Sequence, residues 1–265
     1  ACRVGKAVMS LIERPGLDSN PEIVPGTYFI YYGTVATWSE PLEVCYTHLR
    51  KGLEVGMSCG NSENIAFYNS VLLVRCALLG GEHLPSLLKE ADVHLKAMHG
   101  FGNNLSVPYT SAYRETISIL IDKGEHTASN DFNIDMDNFN EVYTHRYNET
   151  VWLNKMLQNF WLGYATRCHH FASKALDMKP SIGNHNRLII LFYATLNSFR
   201  GIKNKNGSGS QFNKMKPLFD EAIELLISAV DITKDKDFTP GLFNNKVYLL
   251  EAELCSFERK NQLAK

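Results

Sequence analysis

A recurring helix–turn–helix pattern constrains this 265-residue chain more than any other feature. One unit reads GLEVGMSCGNSENIAFYNSVLLVRCALLGGEHLPSLLKEADVHL, from Gly52 to Leu95, and a related one, FWLGYATRCHHFASKALDMKP, runs from Phe160 to Pro180. A unit of this kind cannot bury its apolar face alone, so neighbours must stack and close one another's cores. The pattern speaks to architecture and says little about chemistry.

Read along the chain, Val4, Val8, Leu11 and Ile12 fall at helical spacing in a first helix that Pro15-Gly16 stops near Arg14. Asp18 to Gly26 is turn-rich, and Thr27 to Ser39 is an apolar segment read as helix because no partner strand is evident. Pro41 suits a helix start; Leu42, Cys45, Leu49, Leu53 and Met57 trace one face, and Gly60 ends that helix. Asn61 or Ser62 would cap the next, whose stripe is Ala66, Phe67, Ser70, Val71, Val74 and Leu78, closed by Gly80-Gly81. Pro85 opens a helix lined by Leu87, Leu88, Ala91, Leu95 and Met98; a turn from Gly100 to Asn104 leads to another helix over Tyr109–Lys123. Periodicity disappears from Gly124 to about Tyr147. Helices resume over Glu149–Leu162, Ala165–Met178, Asn186–Arg200, Lys214–Ile232 and Gly241–Arg259, with Lys203–Ser210 as an exposed tip.

This predicts an all-α fold: a tetratricopeptide-like α-α superhelix, or solenoid, of about ten helices with degenerate repeats. Residues 1–265 read as one helical-repeat region, with a hinge or packed loop at 124–147 separating 1–123 from 148–265. Ala175 through Leu176 to Pro180 matches the end of a tetratricopeptide repeat, although Gly163 lies too close for the consensus. Ala66, Ala91, Ala172 and Ala175 are small enough to let helix backbones approach.

Charge narrows the partners. The net charge is −1 and the basic residues are scattered, so no footprint for nucleic acid or anionic lipid is visible. The aromatic-rich run Thr27–Trp38 is shorter than the roughly 20 residues needed to cross a bilayer, so no membrane insertion is expected. Six cysteines without a CxxC pair predict reduced thiols in an intracellular, cytoplasmic protein. Sequons at Asn104, Asn148 and Asn206 are of the kind an Asn-rich chain produces by chance. Both termini read as lying within or beside helices, which points to a piece of a longer polypeptide.

The chemistry-bearing candidates are thin. Cys168-His169-His170 suggests metal ligands, but adjacent helical residues point about 100° apart and cannot easily chelate one ion. Asp131, Asp135, Asp137 and Glu141 suggest a calcium loop, yet counting from Asp135 puts Phe139 at the fifth position, Asn140 where Gly is needed and Arg146 at the twelfth. Gly5-Lys6 is followed by Ala7 and lacks the upstream Gly of a phosphate loop; Gly207-Ser208-Gly209-Ser210 follows no strand. Tyr28, Tyr31, Tyr32, Trp38, Tyr68, Tyr113, Trp152 and Trp161 lie on or beside apolar faces and read as core packing. Asn69, Arg75, Arg114, Arg187 and Asn197 could line a peptide groove. No catalytic, cofactor-binding or metal residue is assigned, and no cofactor is expected.

Gly52-x-x-x-Gly56, Gly60-x-x-Glu63-x-x-Ala66 and Gly81-Glu82-x-Leu84 with Leu87 and Leu88, together with Asn244-Asn245-Lys246 and Leu250-Glu251-Ala252-Glu253, resemble one known region. It is the tetratricopeptide-like helical region of very large signalling ATPases of cyanobacteria and microalgae such as diatoms. The resemblance covers most of the chain from Tyr32 onward. Those proteins join a kinase-like domain and an AAA-type ATPase to helical repeats and often a histidine kinase or nucleotide cyclase. The resemblance implies a segment linking a nucleotide switch to an output domain, and it carries over packing positions only. Two functions follow as expectations. One is a non-enzymatic scaffold for protein partners or neighbouring domains. The other is an all-α regulatory domain with a small-molecule pocket between Tyr28–Trp38 and Gly124–Tyr147.

Overall fold

The computed structural model describes residues 2–12, 21–60, 63–122, 141–178, 185–204, 217, 220–228 and 244–263, and every described element is helical. The chain divides into two compact units, Ala1–Asn138 and Phe139–Lys265. The first carries α1 (Cys2–Ile12), α2 (Ile23–Ile30), α3 (Leu42–Cys59), α4 (Glu63–Gly80), α5 (Leu84–Gly100) and α6 (Val107–Ile121). The second carries α7 (Glu141–Trp161), α8 (Ala165–Leu176), α9 (His185–Asn204), α10 (residues 220–228) and α11 (Asn244–Leu263).

Neighbours in sequence are the main neighbours in space: α3 packs on α4, α5 on α6, α7 on α8 and α8 on α9. One device makes those turns. Gly81, Gly102 and Gly163 each sit at positive φ just past a helix. The amide of the residue after the glycine then donates five residues back: Glu82 to Ala77 O at 3.0 Å, Asn103 to Met98 O at 2.9 Å and Tyr164 to Asn159 O at 2.8 Å. This is the Schellman closure, which needs a left-handed residue that only glycine adopts without strain. Gly60 ends α3 with φ 72°, also in the left-handed region. Gly60, Gly81 and Gly102 are 21 residues apart, so the ends of α3, α4 and α5 are evenly spaced. Two such steps span 42 residues, longer than the about 34 of a tetratricopeptide unit.

In the first unit Tyr28, Leu49, Phe67, Leu73, Leu87, Met98 and Ile117 are buried, each contributing on the order of 1.5–3 kcal/mol relative to exposure. Glycines within helices set the closest approaches. A Cβ at Gly56 would lie 2.6 Å from Ala66 Cβ and 3.3 Å from its Cα, so α3 and α4 meet where neither can carry more bulk. In the second unit Leu153, Met156, Leu157, Leu188, Leu191 and Phe199 form the interior together with Leu226 and Leu250.

Several boundaries differ from the sequence reading. Helix α2 begins at Ile23, inside the stretch read as turn, because Pro25 falls in the first turn, where a missing N–H loses no intrahelical bond. Residues beyond Ile30 do not continue as α-helix: Tyr31–Val35 is a π-turn and Ala36–Trp38 a 3-10 turn. Helix α7 starts at Glu141, eight residues before the expected Glu149, so the tail of the 124–147 segment is helical; residues 124–140 lie outside those described. Helix α9 runs on to Asn204, taking in Lys203 and Asn204 of the expected tip, while 205–210 are outside the described residues. Asn61 and Ser62 are outside as well.

Candidate functional site

The five polar residues expected along a groove are engaged inside the units instead. Buried Asn69 donates from Nδ2 to Pro25 O at 2.8 Å and to Ile65 O at 3.1 Å, tying α4 to α2. Buried Arg75 donates from Nη2 to Gly33 O at 2.8 Å and so anchors the π-turn. Arg114 pairs with Asp92 at 2.8 Å, Arg187 with Glu221 at 2.6 Å, and Asn197 donates to Ala165 O at 2.8 Å. Each links two segments, and a partner protein would have to displace those bonds to use it.

The buried reactive side chains are also structural. Ser70 on α4 lies 2.7 Å from Nδ1 of His94 on α5, a spacing that suits a nucleophile and its base. Ser70 is 0% exposed and His94 9%, so no substrate reaches the hydroxyl. Beside them Arg50 on α3 donates from Nε and Nη2 to the two carboxylate oxygens of Glu90 on α5, at 2.7 and 2.9 Å. Burial pulls the His94 imidazole below its ordinary value, against the nearby Glu90 carboxylate, which favours the charged form. Cys45 and Cys76 are buried and their thiols are pushed up by that burial; the Cys168 thiol is pushed up to about 12 for the same reason. Neutral buried thiols are poor nucleophiles and poor metal ligands.

The Cys168-His169-His170 run splits as helix geometry requires, with Cys168 inside and both imidazoles exposed. Among the described residues no group of three or more His, Cys, Asp or Glu side chains is placed to hold a metal ion, and no helix is long and apolar enough to cross a membrane. Lys6 pairs with Glu40 at 3.0 Å, and Gly5 packs against the Tyr31 ring. Asp131, Asp135, Asp137 and Gly207–Ser210 lie outside the described residues.

What the second unit leaves at its surface is a set of rings and cations. Trp152 of α7 stacks on Phe171 of α8, centroids 5.9 Å apart and planes 16° from parallel. Lys155, three residues after Trp152, lies over the Phe171 ring at 5.8 Å. Lys174, three residues after Phe171, lies over the Trp152 ring at 4.5 Å. Each lysine thus crosses to the other helix's ring, a reciprocal clasp of two aromatic-x-x-Lys steps. His170 meets the edge of Phe171 at 5.2 Å. A second cluster joins α7, α8 and α9: Arg200 sits 4.2 Å over Phe160, Arg167 5.7 Å over Tyr164, and Tyr193 contacts Phe160 and Trp161.

Of the aromatics read as core, Tyr28, Tyr31, Tyr32 and Tyr113 are buried, whereas Trp38, Tyr68 and Trp152 are half-buried and Trp161 is 37% exposed. Trp152 falls in the half-buried stripe of Asn148, Trp152 and Lys155 on α7, and Trp161 is the last residue of that helix. The lysine clasp was not anticipated, although W152-x-x-K155 and F171-x-x-K174 stand in the sequence as its signal. Comparison of the chain with protein-family models, with curated proteins and with solved structures finds no match.

Proposed function

We propose that this chain is a non-catalytic helical scaffold, a solenoid-like stack of α-hairpins related in design to tetratricopeptide arrays, that binds protein partners or neighbouring domains. The observation that carries this reading is the hairpin closed again and again by the same glycine turn, with sequence neighbours packing on each other. Arrays of that kind offer extended surfaces and need no reactive centre. Trp161, Tyr164, Arg167 and Arg200 at the surface of the second unit are of the side-chain types that dominate protein–protein contacts. The buried setting of Ser70, His94 and the thiols supports the same view. By the resemblance to repeat regions of signalling ATPases, the partners would include flanking nucleotide-driven and output domains, in an intracellular setting.

The pocket alternative loses support at its aromatic half. Tyr28 and Tyr31 each pack edge-on against Tyr32, and Tyr32 stacks on His48 with centroids 4.0 Å apart, so rings occupy the centre of this segment. Nucleotide-hydrolysis and cyclase assays on the purified chain test the scaffold reading. No turnover above buffer is expected; robust turnover abolished by substitution of a residue of this chain would overturn it.

A further inference from the structure

Two helices turn an apolar row outward. On α1, Val4, Val8 and Leu11 are 68, 39 and 48% exposed, while the opposite side seats Met9 in the core, lays Gly5 on the Tyr31 ring and pairs Lys6 with Glu40. On α11, Tyr248 is 63% exposed and Ala252 and Cys255 are exposed with it, while Val247 and Leu250 are buried and Lys246 reaches the Phe192 ring of α9. Both rows step by four residues and then three, the spacing of a coiled-coil seam. No other helix among the described residues exposes three apolar side chains at that spacing. A packed helix that leaves such a row in water marks a contact surface.

We infer that α1 of one copy of this chain packs along α11 of another, joining copies head to tail. Size, spacing and charge each favour that pairing. Ala252 and Cys255 are small enough to admit the branched side chains of α1, and Tyr248 supplies the bulk that the α1 row lacks. The charged residues of α1, Arg3 and Lys6, are basic, whereas the exposed charge beside the α11 row is Glu251. An α1 row set on its own twin would bring like charges together, as would α11 on α11. Because the two faces differ, each added copy leaves one of each kind unfilled, and assembly stays open-ended unless the copies curve into a ring. The seam concerns copies of this chain, so its failure would leave the scaffold reading for other proteins untouched.

Sedimentation velocity on the whole chain, from about 1 to 100 µM, tests the pairing. The mean mass of the wild type should climb with concentration. V8D/L11D removes the α1 row and Y248D/A252D the α11 row, and each alone is expected to weaken association at least about tenfold. Mixed in equal amounts, the two variants should recover complexes of two copies and nothing larger, since each retains one intact row. Circular dichroism confirms folding, and V8Q/L11Q or Y248Q/A252Q replaces a variant that melts early. A wild type that stays monomeric, a mixture that stays monomeric, or either variant assembling by itself as tightly as the wild type would each overturn the proposal.

Discussion

The two units divide their charged side chains differently between oxygen partners and aromatic rings. In the first, Arg50 meets the Glu90 carboxylate, Arg75 the Gly33 carbonyl and Arg114 the Asp92 carboxylate, while Arg50 and Lys51 also lie 5.8 and 5.9 Å over the Tyr46 and Tyr28 rings. In the second, Arg187 also finds a carboxylate, but Lys155, Arg167, Lys174 and Arg200 lie over aromatic rings. A carboxylate neutralises a cation and directs it inward; a ring orients the cation and leaves its charge expressed. Oxygen partners thus predominate among the described cations of the first unit, and ring contacts among those of the second.

Substitutions can break that comparison. The largest effect is expected for Asn69→Ala, which leaves the buried Pro25 carbonyl without its donor. Chemical denaturation should show a loss of about 1–3 kcal/mol, and a loss near zero would mean that the amide is not a tie. Gly56→Ala should cost roughly 1–2 kcal/mol even though alanine is the better helix former, because its methyl meets Ala66 at 2.6 Å; a gain in stability would refute the close approach of α3 and α4. Lys174→Ala in the second unit should cost only about 0.5–1 kcal/mol. A cost as large as that of Asn69→Ala would erase the distinction between oxygen partners and ring contacts.

The smallest effect is a pH term. With its folded value held below the ordinary one by burial, His94 binds protons more readily in the unfolded chain. Its contribution to stability is therefore present above about pH 6.5 and is lost as the pH falls through the unfolded and then the folded value. His94→Gln should flatten the slope of denaturation midpoint against pH in that acid window. An unchanged slope would show that the imidazole is not the group responsible.

Much of the fold was legible because helix periodicity and terminal glycines are local signals. Leu42 through Met57 and Ala66 through Leu78 trace their faces without any knowledge of the partner, and Gly60 and Gly81 mark their ends. The π-turn at Tyr31–Val35 was not legible, since a widened turn breaks the 3.6-residue period on which such reading depends. Nor were the roles of the polar residues. Asn69 reaches Pro25 and Arg75 reaches Gly33 across more than forty positions, a pairing that only tertiary packing defines. The lysine clasp is intermediate: both aromatic-x-x-Lys steps are visible, but their exchange of rings exists only once α7 and α8 lie side by side.

The evenly placed glycine turns carry a last consequence. Adding one residue within α4 would swing everything after it through about 100° and shift it 1.5 Å along the axis, so that Gly81 would aim α5 away from its seat. Tolerance to insertions in this part of the molecule should therefore be quantised: single additions inside a helix are rejected, whereas a complete extra hairpin, bringing its own glycine and its own pair of faces, leaves the rest of the frame in phase.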